Sequence, residues 1–151
     1  MTDDAAGYLS LATGLVRLTH LVQGVFAEVA ARHGLPPAQA RLLCILAPQP
    51  RGMAELSGIL GVEKAALTGL VDRIERRGFA ERKSVPGDRR ALRVTLTPAG
   101  EQAAIAVHDE VSAEVVRLAD TLSASDRERL RALLGQVVAA NGAPPVFSDP
   151  T

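Results

Sequence analysis

One cysteine, Cys44, stands among 151 residues, which excludes a disulfide framework and any multi-cysteine metal site. There is no tryptophan, one tyrosine and three phenylalanines, so recognition by aromatic stacking has little to work with. No apolar run approaches the ~18 residues of a membrane span, and no membrane association is expected. The opening Met1-Thr-Asp-Asp lacks a basic stretch followed by an apolar one, so no secretory signal is expected either. Neither sign of charge is in excess: seventeen basic and seventeen acidic residues cancel. That excludes a uniformly polybasic binder. His20, His33 and His108 have no metal-ligand spacing. No nucleophile–base pair, glycine-rich phosphate loop or carboxylate pair stands out, so neither a cofactor nor catalysis is expected. What remains is a cytosolic, helix-rich single domain over residues 1–151. Its residues are 47% apolar, and at this size ~68–70% of the unfolded surface can be buried.

The zero net charge hides an asymmetry. From Lys64 to Arg93 nine basic residues face four acidic ones, a local net of +5. From Glu101 to Arg131 seven acidic residues face four basic ones, a local net of −3. A basic middle between neutral and acidic ends suits a polyanion bound at one face.

Spacing outlines the elements. Leu11, Leu15, Leu18, Val22, Val25 and Val29 alternate in steps of four and three, an apolar seam of the kind helices use to pack on helices. This first helix should stop at Gly34. Pro37 opens a second over 38–47, closed by Pro48-Gln-Pro50. Two short helices follow, 53–60 and 63–77, separated by Gly61. The period then changes: 81–85 and 92–96 read as strands, joined by the turn Pro86-Gly-Asp-Arg89. Thr97-Pro98 looks like a cap and first residue of a long helix to about Leu122, carrying Ile105, Val111, Val115 and Leu118. Ser125-Asp-Arg-Glu128 reads as a capping box for a last helix striped with Leu130, Leu133, Leu134, Val137 and Val138.

The informative stretch is 54–74. Leu56, Ile59, Leu60, Val62, Leu67, Leu70, Val71 and Ile74 bury one face of each short helix, and Gly61 sits where the chain turns between them. That is a helix-turn-helix, whose second helix offers its N-terminal part to the major groove. A hairpin with Arg82, Lys83, Arg89, Arg90 and Arg93 comes next. Such a wing can straddle a phosphate ridge or put an arginine into the minor groove. The fold class is mostly α: a winged helix-turn-helix with a two-stranded wing and long flanking helices.

These residues resemble the MarR family of transcriptional regulators. The resemblance is carried by Leu42-Leu-Cys-Ile-Leu46, Met53-Ala-Glu-Leu56 and Val71-Asp-Arg-Ile-Glu-Arg-Arg-Gly-Phe79. Its most specific part is Asp88-x-Arg90 followed by Leu96-Thr97-x-x-Gly100. It implies a 38–97 DNA-binding lobe, with 8–33 and 98–140 as dimerisation helices. It further implies a homodimer on pseudo-palindromic double-stranded DNA, usually a repressor relieved by a small-molecule effector or by oxidation. Carried over by position, Lys64, Ala65, Ala66 and Thr68 fall at the groove-facing start of the recognition helix, and Arg73 falls at a phosphate. Arg90 matches the wing arginine and Asp72 the carboxylate it pairs with, which would set the wing's angle. Asp88 helps position the wing, and Arg89 is the other minor-groove candidate. The chain departs from the family at Ala65, Ala66 and Gly69, where hydroxyl-bearing or longer polar residues are common. Alanines can touch thymine methyls but donate no hydrogen bonds, which leaves more of the specificity to Lys64, Thr68 and groove shape.

Arg17 and His20, close together on the first helix, are candidate contacts for an anionic effector. Cys44, flanked by Leu43 and Ile45, reads as a buried core thiol. A redox-responsive regulator switched through Cys44 is the alternative, and a winged helix used as a protein-interaction module is another. The basic run from Lys64 argues against the last.

Overall fold

The computed structural model describes residues 9–144 and 146–148, apart from the side chains of residues 89 and 90. Among these, the order is α1 (Leu11–Arg32), α2 (Pro37–Leu46), β1 (Arg51–Gly52), α3 (Met53–Leu60), α4 (Lys64–Arg76), β2 (Ala80–Val85), β3 (Asp88–Leu96), α5 (Pro98–Arg117) and α6 (Ala124–Asn141).

Ser10 caps α1 by accepting the Thr13 N–H on its Oγ at 3.2 Å. At the other end the Leu35 N–H donates to Ala30 O and the Gly34 N–H to Ala31 O, a Schellman close at the expected glycine. The seam on this helix divides. Val29 is fully buried and Val25 and Phe26 pack on the core, whereas Leu11, Leu15 and Leu18 are exposed in the single chain. The core centres on α2, whose Leu42, Leu43, Cys44, Ile45 and Leu46 are buried because α1, α4, α5 and β3 all pack around it.

The sheet has three strands, not the expected two. β1 joins the hairpin in the antiparallel order β1-β3-β2, with Arg51 opposite Val94 and Gly52 opposite Arg93. Two residues are too few to show a period of two. The buried Arg51 side chain anchors them, donating from Nε to Ile45 O at 3.1 Å and from Nη1 to Glu55 Oε1 at 2.5 Å. The turn is also tighter than expected. Only Pro86 and Gly87 lie outside the strands, with φ +85° at Gly87. Arg89 is therefore in β3. The register slips there, because Ser84 pairs with Leu92 but Val85 with Asp88.

α5 ends at Arg117 rather than near Leu122. The N–H groups of Leu118, Ala119 and Asp120 donate three residues back, a tightening that ends the α-helix. Its buried face is Ala104, Val107 and Val111, while Ile105 points to solvent. Ser123, not Ser125, caps α6, accepting the Asp126 N–H at 3.1 Å. No residue of α6 is buried, and Leu133, Leu134, Val137 and Val138 all stand exposed. No helix among the described residues is long and apolar enough to cross a membrane.

Candidate nucleic-acid interface

The α3–α4 corner is built from its buried side. Leu56 on α3 and Leu67, Leu70, Val71 and Ile74 on α4 are buried together. Gly61 caps α3 at φ +64°, a left-handed conformation that a side chain would resist. Ser57 then pins the turn. Its carbonyl accepts the Gly61 and Val62 N–H groups, and its hydroxyl donates to Val62 O at 2.5 Å. Sequence reasoning missed Ser57; a serine four residues before the turn glycine was the available signal.

With that face buried, Lys64, Ala65, Ala66, Thr68 and Arg73 are all exposed. Thr68 spends its hydroxyl hydrogen on Lys64 O at 2.9 Å, leaving only lone pairs for an outside donor. The Arg73 side chain makes no hydrogen bond or ion pair among the described residues. Its guanidinium lies back along the helix over Gly69, where an added Cβ would sit 3.7 Å from Nη2.

The wing is latched to α4 by a residue that sequence reasoning did not select. Arg82 on β2 donates from Nη2 to Asp72 Oδ1 at 2.8 Å and from Nη1 to Glu75 Oε2, while its backbone N–H donates to Glu75 Oε1 at 3.0 Å. Asp72 thus meets β2 of the wing through Arg82. The pairing expected between Asp72 and Arg90 involves a side chain outside the described residues, as does the minor-groove assignment of Arg89. Asp88 begins β3 at the tip, opposite Val85. The alternation that turns Arg82 inward puts Lys83 and its cross-strand partner Arg93 on the outer face, where they line an open groove with Pro50, Val85, Pro86 and Thr95.

The junction from wing to α5 explains the Thr97-x-x-Gly100 spacing. The Thr97 N–H donates to Phe79 O at 3.0 Å, and its hydroxyl donates to Gly78 O at 2.6 Å while accepting the Gly100 N–H. Gly100 lies so close that a Cβ would fall 1.9 Å from Phe79 O.

Arg17 and His20 are both exposed on α1. The other histidines are engaged away from α4: His33 Nε2 sits 2.6 Å from Glu110 Oε2, and His108 stacks on Phe147. Arg32 joins the first of these, binding Glu110 at 2.6 Å and Glu114 at 2.5 Å, and so ties the end of α1 to α5. Hydrogen bonds from Arg32, then His33, hold the Glu110 carboxyl below its ordinary range, and those that Arg32 donates to Glu114 and Glu110 raise its own pKa. Cys44 is buried, and desolvation pushes its thiol up to about 11. It is the neutral thiol near pH 7, without the thiolate that a redox switch needs.

Comparison with known proteins agrees with this geometry. Residues 33–91, spanning α2 to the wing, match the model of the MarR family. The chain is 27% identical over 127 residues to the HTH-type transcriptional regulator PecS of Dickeya dadantii (strain 3937), covering 82% of this chain and 76% of that protein. It is 25% identical over 131 residues to the homoprotocatechuate degradative operon repressor of Escherichia coli, covering 86% of this chain and 88% of the repressor. The crystal structure of wild-type MarR from E. coli in the apo form superposes with a TM-score of 0.75 at 26% identity, over 87% of this chain and 98% of that one. The latched helix-turn-helix and wing, the family-model match over residues 33–91 and the nearly full-length structural likeness converge: the chain has the winged-helix fold of, and is similar to, the MarR family of DNA-binding transcriptional regulators.

Proposed function

We propose that the protein is a dimeric repressor that binds a pseudo-palindromic operator and is released by a small anionic or aromatic ligand. The observation that carries this is the exposed face of α4, held by the buried corner and set at a fixed angle to the wing by Arg82. In this reading residues 38–97 are the DNA-binding lobe and 8–33 with 98–140 the dimerisation helices. Lys64, Ala65, Ala66 and Thr68 face the major groove, Arg73 follows them along α4 toward the phosphates, and Arg89 and Arg90 carry the wing's contact. The exposed stripes on α1 and α6 supply the dimer surface: no residue of α6 is fully buried within its own chain. An obligate interface of more than ~2,000 Å² would cover them. Two-fold symmetry then requires a two-fold related pair of half-sites. A relative named for repression of an aromatic-acid degradative operon supports the ligand class, and Arg17 and His20 on α1 are the cations we assign to it. The protein works in the cytoplasm, beside the chromosome.

Sequencing the genomic fragments that the purified protein captures tests the reading, with light scattering on the same sample. A shared inverted repeat and a dimer at micromolar concentration are expected. A monomer, or fragments with no common sequence, would remove it.

A further inference from the structure

The geometry points to Arg73 as the residue that reads a base, through the space left by Gly69. The inference rests on the DNA-binding reading above. Along α4 Arg73 is nine residues beyond Lys64, which by backbone position alone puts it beyond reach of the base edges, near a phosphate. Its side chain does not stay at that level. Long side chains on a helix point toward the N-terminus and cover the turn before their own Cα. Four residues back is Gly69, the one position on this helix with no side chain to occupy that surface. The Arg73 guanidinium fills it: Nη2, Cζ and Nη1 would lie 3.7, 3.9 and 4.0 Å from a Cβ at Gly69. This carries the charge ~6 Å toward the helix start, about one turn.

The surroundings leave the reading of bases to this group. Ala65 and Ala66 offer only methyls, and the Thr68 hydroxyl hydrogen is committed to Lys64 O. Lys64 is a point charge, whereas Arg73 presents a planar fork that no carboxylate among the described residues engages. A guanidinium has donors only, so it selects the base edge with two adjacent acceptors, O6 and N7 of guanine. The half-site that fits this face therefore carries a guanine opposite Arg73, beside thymines whose methyls meet Ala65 and Ala66.

The test uses the full-length protein and the operator its own selection defines. Each guanine of one half-site and its symmetry mate is replaced in turn by 7-deazaguanine, which lacks the N7 acceptor. Wild type should lose ~10-fold or more in affinity at one symmetric pair. Arg73→Ala should be insensitive to that replacement and should accept other base pairs there. Arg73→Lys, which keeps the charge and loses the planar fork, should bind more weakly than wild type and keep only part of the guanine preference. The residue is exposed, so both variants fold, and circular dichroism confirms it. If Arg73→Ala keeps every base preference of wild type and only lowers the salt slope by ~1 unit per subunit, Arg73 holds a phosphate and the inference is overturned. A wild-type protein with no sequence preference overturns the functional reading itself, and this one with it.

Discussion

Two glycine-to-alanine substitutions in helices should have opposite signs. In Gly100→Ala the new Cβ would lie 1.9 Å from Phe79 O and 2.8 Å from its carbonyl carbon, where ordinary contact begins at 3.4 Å. The obstacle is backbone, and it is tied down. The same carbonyl accepts the Thr97 N–H, and the Thr97 hydroxyl bridges Gly78 O to the Gly100 N–H. Relieving the clash moves the start of α5 away from the wing and strains the cap. Overpacking costs ~1–3 kcal/mol, and a lost cap adds ~1 kcal/mol. The better helix propensity of alanine returns up to ~1 kcal/mol. The net loss is about 1–4 kcal/mol, or a fall in Tm of roughly 2–16 °C for a chain of this size. In Gly58→Ala, on α3, the Cβ meets nothing within 4 Å. That substitution should raise stability by ~0.5–1 kcal/mol. Far-UV circular dichroism melts at one fixed protein concentration compare the two. Should Gly100→Ala melt at or above wild type, the account of the Thr97-x-x-Gly100 junction would be refuted.

Arg82→Met should weaken operator binding at ~150 mM salt and cost about 1–2 kcal/mol of stability, between the values for exposed and buried ion pairs. In a double-mutant cycle with Asp72→Asn the two effects should be coupled; strict additivity would mean that Arg82 does not latch the wing through Asp72. Because burial raises the Cys44 thiol to about 11, thiol reagents at neutral pH should leave the folded protein unmodified, and peroxide should not release DNA. Rapid labelling of the native protein would contradict that. Glu110 has a depressed folded pKa, so its share of stability is present above the ordinary carboxylate value and lost as pH falls through the folded one. The melting temperatures of wild type and Glu110→Gln should therefore converge as pH falls below the ordinary carboxylate value. A constant gap would show that Arg32 and His33 do not hold α1 to α5 through this carboxylate.

Local spacing was enough for the helices, the turn glycine and the solvent-facing residues of the recognition helix, because each depends on residues within one or two turns. The buried stripe Leu67, Leu70, Val71 and Ile74 leaves Lys64, Ala65, Ala66, Thr68 and Arg73 outside whatever else the chain does. Thr97 and Gly100 were legible as a spacing, but the Phe79 carbonyl that demands the glycine comes from the wing. Other features depended on partners distant in sequence. β1 is a strand only because β3 passes beside it, and Arg51 is buried only because Ile45 O and Glu55 receive its guanidinium. Asp72 had more than one basic residue within reach of a guess, and the inward alternation of β2 selects Arg82. The Leu118–Leu122 segment carries helical apolar residues, yet its backbone tightens into turns before α6. Sequence periodicity says which residues share a face. Which neighbour covers that face, and which charge meets which, is decided only when the chain is closed on itself, since those distances are properties of the fold and not of the spacing.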